Sequence, residues 1–278
     1  MKNRFRFSEL KERGKTLARR FQNPNSSIHY LSILEGTTRG VVYVSEGGPN
    51  MPKLAIVYSF LLGGFQIMGE PITEPHEYAA LWLLFEREII NNLLIPNDIS
   101  EVSFSCDSDA LLEVMRIAFF DKEMYEQKQL CFRYSHSSIP KCFDKCAYEL
   151  KRLDSEFVNS NAYFPIELRD EILESYENID LFLKNGLGFA ALDNEHIIAN
   201  LIANANYENC FVLGADTDEE YRLKGIASSL LLTAVQYAHA HNCDLIWECA
   251  ETNTASVKTV QKCGFKLQYS FPVRWFEF

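Results

Sequence analysis

The sequence contains no hydrophobic run long enough to cross a bilayer. Its longest apolar stretch, residues 54–65, falls well short of a membrane-spanning helix and is interrupted by Gly63 and Gly64. The first residues are basic and are not followed by the apolar segment of a secretory signal. We therefore expect a cytoplasmic protein with no membrane partner.

Positive charge is also scarce. The chain has 27 Lys and Arg against 38 Asp and Glu, which gives a formal net charge of −11. A protein that binds nucleic acid needs a basic surface to offset the phosphate charge, and no basic stripe is visible. The charge balance argues against a nucleic-acid partner and favours cationic amines as ligands.

Eight cysteines are present, but they form no complete metal-binding pattern. Cys142 and Cys146 have the spacing of half a zinc site, and no second pair stands at a matching distance. We therefore expect reduced cysteines, as is usual in the cytoplasm, and no metal.

The common nucleotide-binding loops are missing as well, since neither a Walker loop nor a Gly-x-Gly-x-x-Gly fingerprint occurs. The sequence has instead the segment Arg-Leu-Lys-Gly-Ile-Ala at residues 222–227. It lies between an extended apolar run, residues 210–215, and a run with helical periodicity, residues 226–240. A helix N-terminus with a glycine and two cations beside it favours an anion. The segment predicts a phosphate-binding turn.

The pattern Arg-x-x-Gly-x-Ala resembles the acyl-CoA pyrophosphate loop of the GNAT superfamily of N-acetyltransferases. Asn253, Ser256 and the pair Gly264-Phe265 follow in the order and spacing of the second half of the GNAT signature. The sequence is similar in particular to a bacterial subgroup that includes zwittermicin-resistance-like acetyltransferases. Further matching residues are Asn23-Pro24, Gly69-Glu70-Pro71, Asp216-Thr217, Tyr221-Arg222 and Trp247-Glu248-Cys249.

The resemblance implies acetyl-CoA as co-substrate, held between two strands that splay apart. Backbone groups of Ala215, Asp216 and Thr217 would pair with the pantetheine arm. The pyrophosphate would lie on Arg222, Leu223, Lys224, Gly225, Ile226 and Ala227. Asn253 and Ser256 complete the expected cofactor set. Asn253 is equally suited to cap the helix that follows it, and one residue can serve both purposes.

The usual catalytic groups of the superfamily are missing. The general-acid tyrosine corresponds to Val260, and the strand glutamate corresponds to Phe211 or Val212. Three interpretations follow. Acetyl transfer relies on positioning of the substrates alone, another residue replaces the missing catalytic groups, or the activity is lost. Glu248 is the candidate base because an acid in an apolar strand has a raised pKa. Tyr269 is the candidate acid. Pairing of Glu248 with a surface cation and a packing role for Tyr269 are the competing interpretations.

The resemblance implies an acetyl-CoA-dependent N-acetyltransferase that acts on a primary amine of a small molecule. Two alternatives stay open: a non-catalytic or regulatory acyl-CoA-binding protein, and an N-acetyltransferase that acts on a protein or peptide.

The expected fold is α+β around a mixed sheet, with a domain of residues 1–140 and a GNAT domain of residues 141–278. The first domain repeats the order of elements in the second but has no cofactor loop, which indicates a degenerate GNAT-like half.

Predicted helices cover residues 7–21, 74–94, 107–120, 166–176, 178–184, 226–240 and a short segment after Asn253. Predicted strands cover residues 28–34, 40–45, 54–60, 65–68, 102–105, 129–134, 147–153, 188–192, 196–204, 210–215, 244–250, 266–271 and 274–278.

Overall fold

A computed structural model describes residues 6–24, 26–46, 52–137, 146–160 and 164–278. Contacts divide the chain into two compact units. Unit 1 comprises Met1–Gln127 together with Pro272–Phe278, and unit 2 comprises Lys128–Phe271. The predicted boundary at residue 140 lies outside the described residues, and the contacts divide the chain after residues 127 and 271 instead.

The fold is a mixed α+β structure, as predicted. The described strands are β1 Arg6–Glu9, β2 Gly40–Glu46, β3 Leu54–Ser59, β4 Gly64–Gly69, β5 Glu101–Cys106, β6 Tyr125–Tyr134, β7 Glu149–Arg152, β8 Gly188–Asp193, β9 His196–Tyr207, β10 Cys210–Thr217, β11 Asp244–Ala250 and β12 Lys266–Glu277. The described α-helices are α1 Lys15–Phe21, α2 Ile28–Glu35, α3 Pro75–Leu84, α4 Asp109–Ala118, α5 Ser155–Ser160, α6 Ile166–Ser175, α7 Ile179–Asn185, α8 Ile226–His241 and α9 Thr254–Lys262. None of these described helices is long and apolar enough to cross a membrane.

Unit 1 contains the strand order β1-β2-β3-β4-β5, in which β4 and β5 are parallel and the other neighbours antiparallel. The last residues of β12 add an antiparallel partner to β5, with Arg274 opposite Phe104. Its core is rich in buried aromatic rings. Those in mutual contact are Phe65, Phe85, Phe104, Phe119 and Phe276.

Unit 2 contains the strand order β12-β6-β11-β10-β9-β8-β7, and β12 contributes residues 266–271 to it. One face of this sheet packs against α8 and α9, with Leu230, Leu245 and Val260 completely buried. The opposite face packs against α6 and α7 around Tyr176, whose hydroxyl donates to the carbonyl of Ala203 at 2.7 Å.

Two predictions of secondary structure were wrong. Residues 28–34 form helix α2 and not a strand, because this short run is buried nearly all round and therefore has no helical periodicity to read. The predicted helix of residues 7–21 consists of strand β1, a connection and the shorter helix α1.

Three other predictions are confirmed with changed bounds. The predicted helix of residues 74–94 begins at Pro75 and continues beyond Leu84 as a π-type helix, Phe85–Leu94. The strand predicted to begin at residue 129 begins already at Tyr125. The two predicted closing strands are one strand, Lys266–Glu277, which continues through Pro272.

Candidate active site

Strands β10 and β11 lie parallel and then separate. They pair at Cys210–Asp244, Phe211–Leu245 and Val212–Ile246, and no further pair follows although both strands are described to their ends. Strand β10 remains paired with β9 up to Thr217 across a β-bulge at Val212/Leu213. This irregularity lies where β10 leaves β11. A bulge bends its strand, which accounts for the separation of the two strands at this point. Beyond Val212, the edge of β10 that faces β11 has backbone groups available to a ligand.

The loop after β10 ends at an open helix N-terminus. Gly225 adopts a left-handed conformation with φ 80° at the N-cap of α8, and the fully exposed Leu223 is also left-handed with φ 62°. No side chain caps α8, and its first turn contains no acidic residue. A Cβ built on Gly225 meets no atom within 4 Å, so access from solvent to this turn is free. The first backbone N–H groups of α8 are therefore suited to an anion.

The charged side chains of this loop are held by neighbouring groups. Arg222 Nε donates to the carbonyl of Thr217 at 3.1 Å, and Lys224 Nζ lies 4.5 Å from the ring centroid of Tyr221. Tyr221 in turn donates its hydroxyl hydrogen to Asp193 Oδ2 at 2.9 Å. These contacts fix two cations beside the N-terminus of α8, where they complement a phosphate group.

The corresponding turn of unit 1 is closed. Helix α3 follows β4 as α8 follows β10, but it begins with Pro75, which has no N–H to offer. The carboxylate of Glu77 accepts the backbone N–H groups of Thr73 at 2.8 Å and Glu74 at 3.0 Å. This capping box fills the N-terminus of α3 with its own negative charge, so the turn is unsuited to a phosphate.

Glu248 lies on β11, two residues beyond the last pair with β10. Its neighbour across the sheet is Cys131 on β6, and the two side chains face away from the layer of α8 and α9. Its Oε1 atom is out of contact with solvent and has no hydrogen-bond partner among the described residues. Burial raises the pKa of Glu248 to about 7, although a hydrogen bond from the Cys131 thiol acts in the opposite direction.

Tyr269 on β12 joins the same group of side chains. Its hydroxyl is hydrogen-bonded to the sulfur of Cys131, and burial raises the pKa of this phenol well above its usual range. The structure thus brings together both residues predicted as catalytic, through a cysteine that the sequence analysis did not single out. The surface ion pair considered for Glu248 is not found among the described residues, where its carboxyl group is buried beside a thiol.

Asn253 and Ser256 make structural contacts. The Asn253 Oδ1 atom accepts the backbone N–H of Ser256 at 3.1 Å and so caps α9, which was one of its two predicted roles. The Ser256 Oγ atom accepts the indole N–H of Trp247 at 2.8 Å. These bonds link α9 to β11.

Comparison with known proteins decides the family. The family model "GNAT acetyltransferase" matches residues 19–273. The chain belongs to the GNAT acetyltransferase family. Acyl transfer is the chemistry of this family, so the chain is assigned to the acyltransferases at that level.

Individual GNAT relatives agree over nearly the whole chain. YdfB of Bacillus subtilis strain 168, an uncharacterized N-acetyltransferase, is 22% identical over 241 residues, which are 84% of this chain and 85% of that protein. A GCN5-related N-acetyltransferase-like protein from Streptococcus suis is similar in structure, with a TM-score of 0.64, 17% identity and coverage of 94% and 97%. A tandem GNAT protein from the clavulanic acid biosynthesis pathway has a TM-score of 0.58, 11% identity and 98% coverage of both chains. The two structures support the fold of the GNAT chain from end to end.

The positions at which many GNAT proteins carry catalytic groups are apolar here. Val260 is completely buried against α8 and β11, Val212 is buried, and Phe211 packs against the same core. Each of these side chains is fixed in a hydrophobic layer and can neither donate nor accept a proton. These three positions therefore supply no acid–base group.

Other places in the described chain are less suited to the chemistry. No group of three His, Cys, Asp or Glu side chains among the described residues could hold a metal ion, and Cys142 of the predicted half-site lies outside them. A cavity of about 450 Å³ in unit 2 is lined by residues of β7, α7 and their neighbours, including Arg152, Asp154 and Lys184. None of the predicted site residues lines it.

Replacement of Asn253 separates its two predicted roles. Asn253→Ser keeps a side-chain oxygen that caps α9, so we expect the free energy of unfolding to change by only a few tenths of a kcal/mol. Asn253→Ala should lose about 1 kcal/mol. If Asn253 also contacts the cofactor, both variants bind acetyl-CoA more weakly. Denaturant unfolding and calorimetric titration of the two variants give both quantities. If Asn253→Ser binds acetyl-CoA as tightly as the wild type, the only role of Asn253 is to cap α9.

Proposed function

We propose that this GNAT protein is an acetyl-CoA-dependent N-acetyltransferase that acts on a primary amine of a small molecule. One observation carries the proposal: β10 separates from β11 and continues into an uncapped helix N-terminus flanked by Arg222 and Lys224. An extended arm that ends in a pyrophosphate is complementary to this combination. The open strand edge offers backbone hydrogen bonds, and the helix start offers free N–H groups.

The residues that would hold the cofactor follow from this geometry. Main-chain groups of Ala215, Asp216 and Thr217 belong to the part of β10 that has left β11, and they would bind the amide arm. The turn of residues 222–227 would bind the pyrophosphate. When bound, acetyl-CoA supplies an activated acetyl group as a thioester, so correct placement of the amine contributes several kcal/mol to the acceleration.

Glu248 is suited to act as the general base. Glu248 lies two residues beyond the last pair of β11 with β10, and its Oε1 atom is an unused, desolvated acceptor. A pKa of about 7 matches a base that works near neutral pH. It would take a proton from the attacking amine. Tyr269 fits the role of acid less well, because a raised pKa makes a phenol a weaker proton donor and its hydroxyl hydrogen is engaged with Cys131.

Acidic side chains near the end of β10 favour a cationic acceptor. Burial raises the pKa of Glu171 on α6, and the nearby charges of Asp216 and Glu174 add to this effect. Burial likewise raises the pKa of Asp218, with contributions from Asp216, Glu220 and Glu167. Several carboxylates thus repel one another within unit 2, and a protonated amine that approaches them relieves that repulsion.

Two measurements test the proposed function. Calorimetric titration with acetyl-CoA should find one site per chain, because the turn in unit 1 is closed by Glu77. Release of free thiol should then be followed with polyamines, amino sugars, amino acids and peptides as acceptors. We expect turnover with a small cationic amine. Absence of binding contradicts the proposal, and turnover with peptides alone assigns the acceptor to a protein.

The alternative is an acyl-CoA-binding protein without catalysis. It is favoured by one observation, the apolar side chains packed in the core at Val260, Phe211 and Val212. It predicts the same titration but no thiol release with any amine. Steady turnover with one acceptor excludes it.

A further inference from the structure

Glu248, Cys131 and Tyr269 form a chain of side chains across three neighbouring strands. The Cys131 thiol on β6 lowers the pKa of Glu248 on β11 as a hydrogen-bond donor to its carboxylate, and the Tyr269 hydroxyl on β12 lowers the pKa of Cys131 as a donor to its sulfur. Cys131 and Glu248 are directly opposite each other in the antiparallel pair of β6 and β11. The direction of both hydrogen bonds is the same, from phenol to thiol to carboxylate.

The two oxygens of Glu248 have different surroundings. One accepts the thiol hydrogen, and Oε1 is buried without a partner. A buried carboxylate oxygen without a hydrogen bond is costly, so its presence calls for a ligand or a chemical role. Cys131 is completely buried itself and is placed so that it occupies one oxygen and leaves the other available.

We propose that Cys131 is a positioning residue for Glu248: its thiol, held in turn by Tyr269, fixes the carboxylate so that Oε1 is presented to the acceptor amine. The inference rests on the proposed role of Glu248 as base. It assigns Cys131 a function that a packing residue does not have. Tyr269 orients the thiol and does not touch the reacting atoms.

Among the described residues, Glu248 has few electrostatic neighbours. They are Cys131 on β6, Tyr269 on β12, Cys210 on β10 and Cys249 on β11 itself. Arg133 on β6 interacts with Cys131 and Cys210, whose thiols burial holds neutral by raising both pKa values to about 12. The Cys131 thiol is therefore the one side-chain donor to Glu248 among the described residues, and its removal leaves the carboxylate without one.

The test compares Cys131→Ala with Cys131→Ser. The carboxyl carbon of Glu248 is followed by NMR in protein with isotope-labelled glutamate, and the signal is assigned by its loss in Glu248→Gln. Loss of a donor to the charged form should raise the titration midpoint of Glu248 in Cys131→Ala by about half a unit to one unit. Cys131→Ser keeps a donor that is stronger than a thiol, so its midpoint should lie at or below that of the wild type.

Further variants serve as controls. Tyr269→Phe removes the donor to sulfur and should raise the Glu248 midpoint by less than Cys131→Ala does. Cys243→Ala removes a buried cysteine of unit 2 that has no recorded interaction with Glu248, and it should leave the midpoint unchanged. Equal midpoints in Cys131→Ala, Cys131→Ser and wild type overturn the proposal, and so does an equal shift in both variants.

The titration needs no substrate and so distinguishes this inference from the proposed function. Where an acceptor is turned over, the acid limb of kcat/KM should move upward in Cys131→Ala by the same amount as the NMR midpoint and return in Cys131→Ser. If the acid limb of kcat/KM does not move in Cys131→Ala, the positioning role is overturned even if the NMR midpoint moves. If no amine is turned over, the proposed function fails, and the NMR midpoints alone decide whether Cys131 holds Glu248.

Discussion

Gly225→Glu should abolish acetyl-CoA binding, with a loss of affinity of at least about a hundredfold, or roughly 3 kcal/mol. The new carboxylate would lie at the N-terminus of α8, where it competes with the pyrophosphate for the free N–H groups and repels its charge. A side chain at φ 80° also strains the turn. Calorimetric titration of the variant and the wild type with acetyl-CoA measures the difference.

The chain offers a matched control for this change. Gly63, in the hairpin turn of unit 1, is also left-handed with φ 60°, and a Cβ there likewise meets no atom within 4 Å. Gly63→Glu therefore introduces the same charge and a similar strain away from unit 2. We expect it to bind acetyl-CoA like the wild type. If Gly225→Glu and Gly63→Glu bind acetyl-CoA with equal affinity, the pyrophosphate does not bind at the loop of residues 222–227.

Glu248→Gln should lower kcat by about a hundredfold to ten-thousandfold, the usual contribution of a general base. In the wild type we expect kcat/KM to rise with pH through a midpoint near 7, because Glu248 has a pKa of about 7 and acts as a carboxylate. The variant should lose this acid limb. Glutamine keeps an oxygen that accepts the Cys131 thiol hydrogen, so the packing is preserved. Glu251→Gln, which changes an exposed carboxylate paired with Lys128, is the control.

Stability provides a second readout of the same substitution. The pKa of Glu248 is higher in the folded state, about 7, than its ordinary value of 4.5, so the folded protein binds the proton more tightly. The stabilisation that protonation gives is complete below the unfolded pKa and is lost as pH rises through 7. Glu248→Gln should therefore be more stable than the wild type at pH 8, by up to about 3 kcal/mol, and the difference should shrink toward pH 4. Denaturant unfolding at both pH values checks this, and a pH-independent difference would contradict it.

The loop and its context could be predicted from sequence because their signals are local. The phosphate-binding turn needs a glycine at a left-handed position directly before a helix, and Gly225 followed by the periodic run of α8 provides both. The parallel neighbours β10 and β11 followed from apolar runs on either side of that helix. Such patterns are contained within about forty residues of the chain.

Buried and cross-strand features could not be predicted in the same way. Helix α2 is buried on nearly every side, so its sequence lacks the alternation of polar and apolar faces that marks a helix. Cys131 precedes Glu248 by more than a hundred residues and lies opposite it only because β6 and β11 pair. Sequence composition contains no signal for that pairing. The two candidate catalytic residues were found as isolated polar groups in apolar strands, but their common contact was not.

The most direct test of the whole account is hydrogen–deuterium exchange of the full chain with and without acetyl-CoA. Binding at the opening between β10 and β11 should slow exchange of the backbone amides of residues 213–217 and 226–228. The start of α3 in unit 1, at Pro75–Tyr78, should be unaffected because Glu77 already caps it. Protection at the start of α3, or no protection at residues 226–228 under saturating acetyl-CoA, would contradict the account.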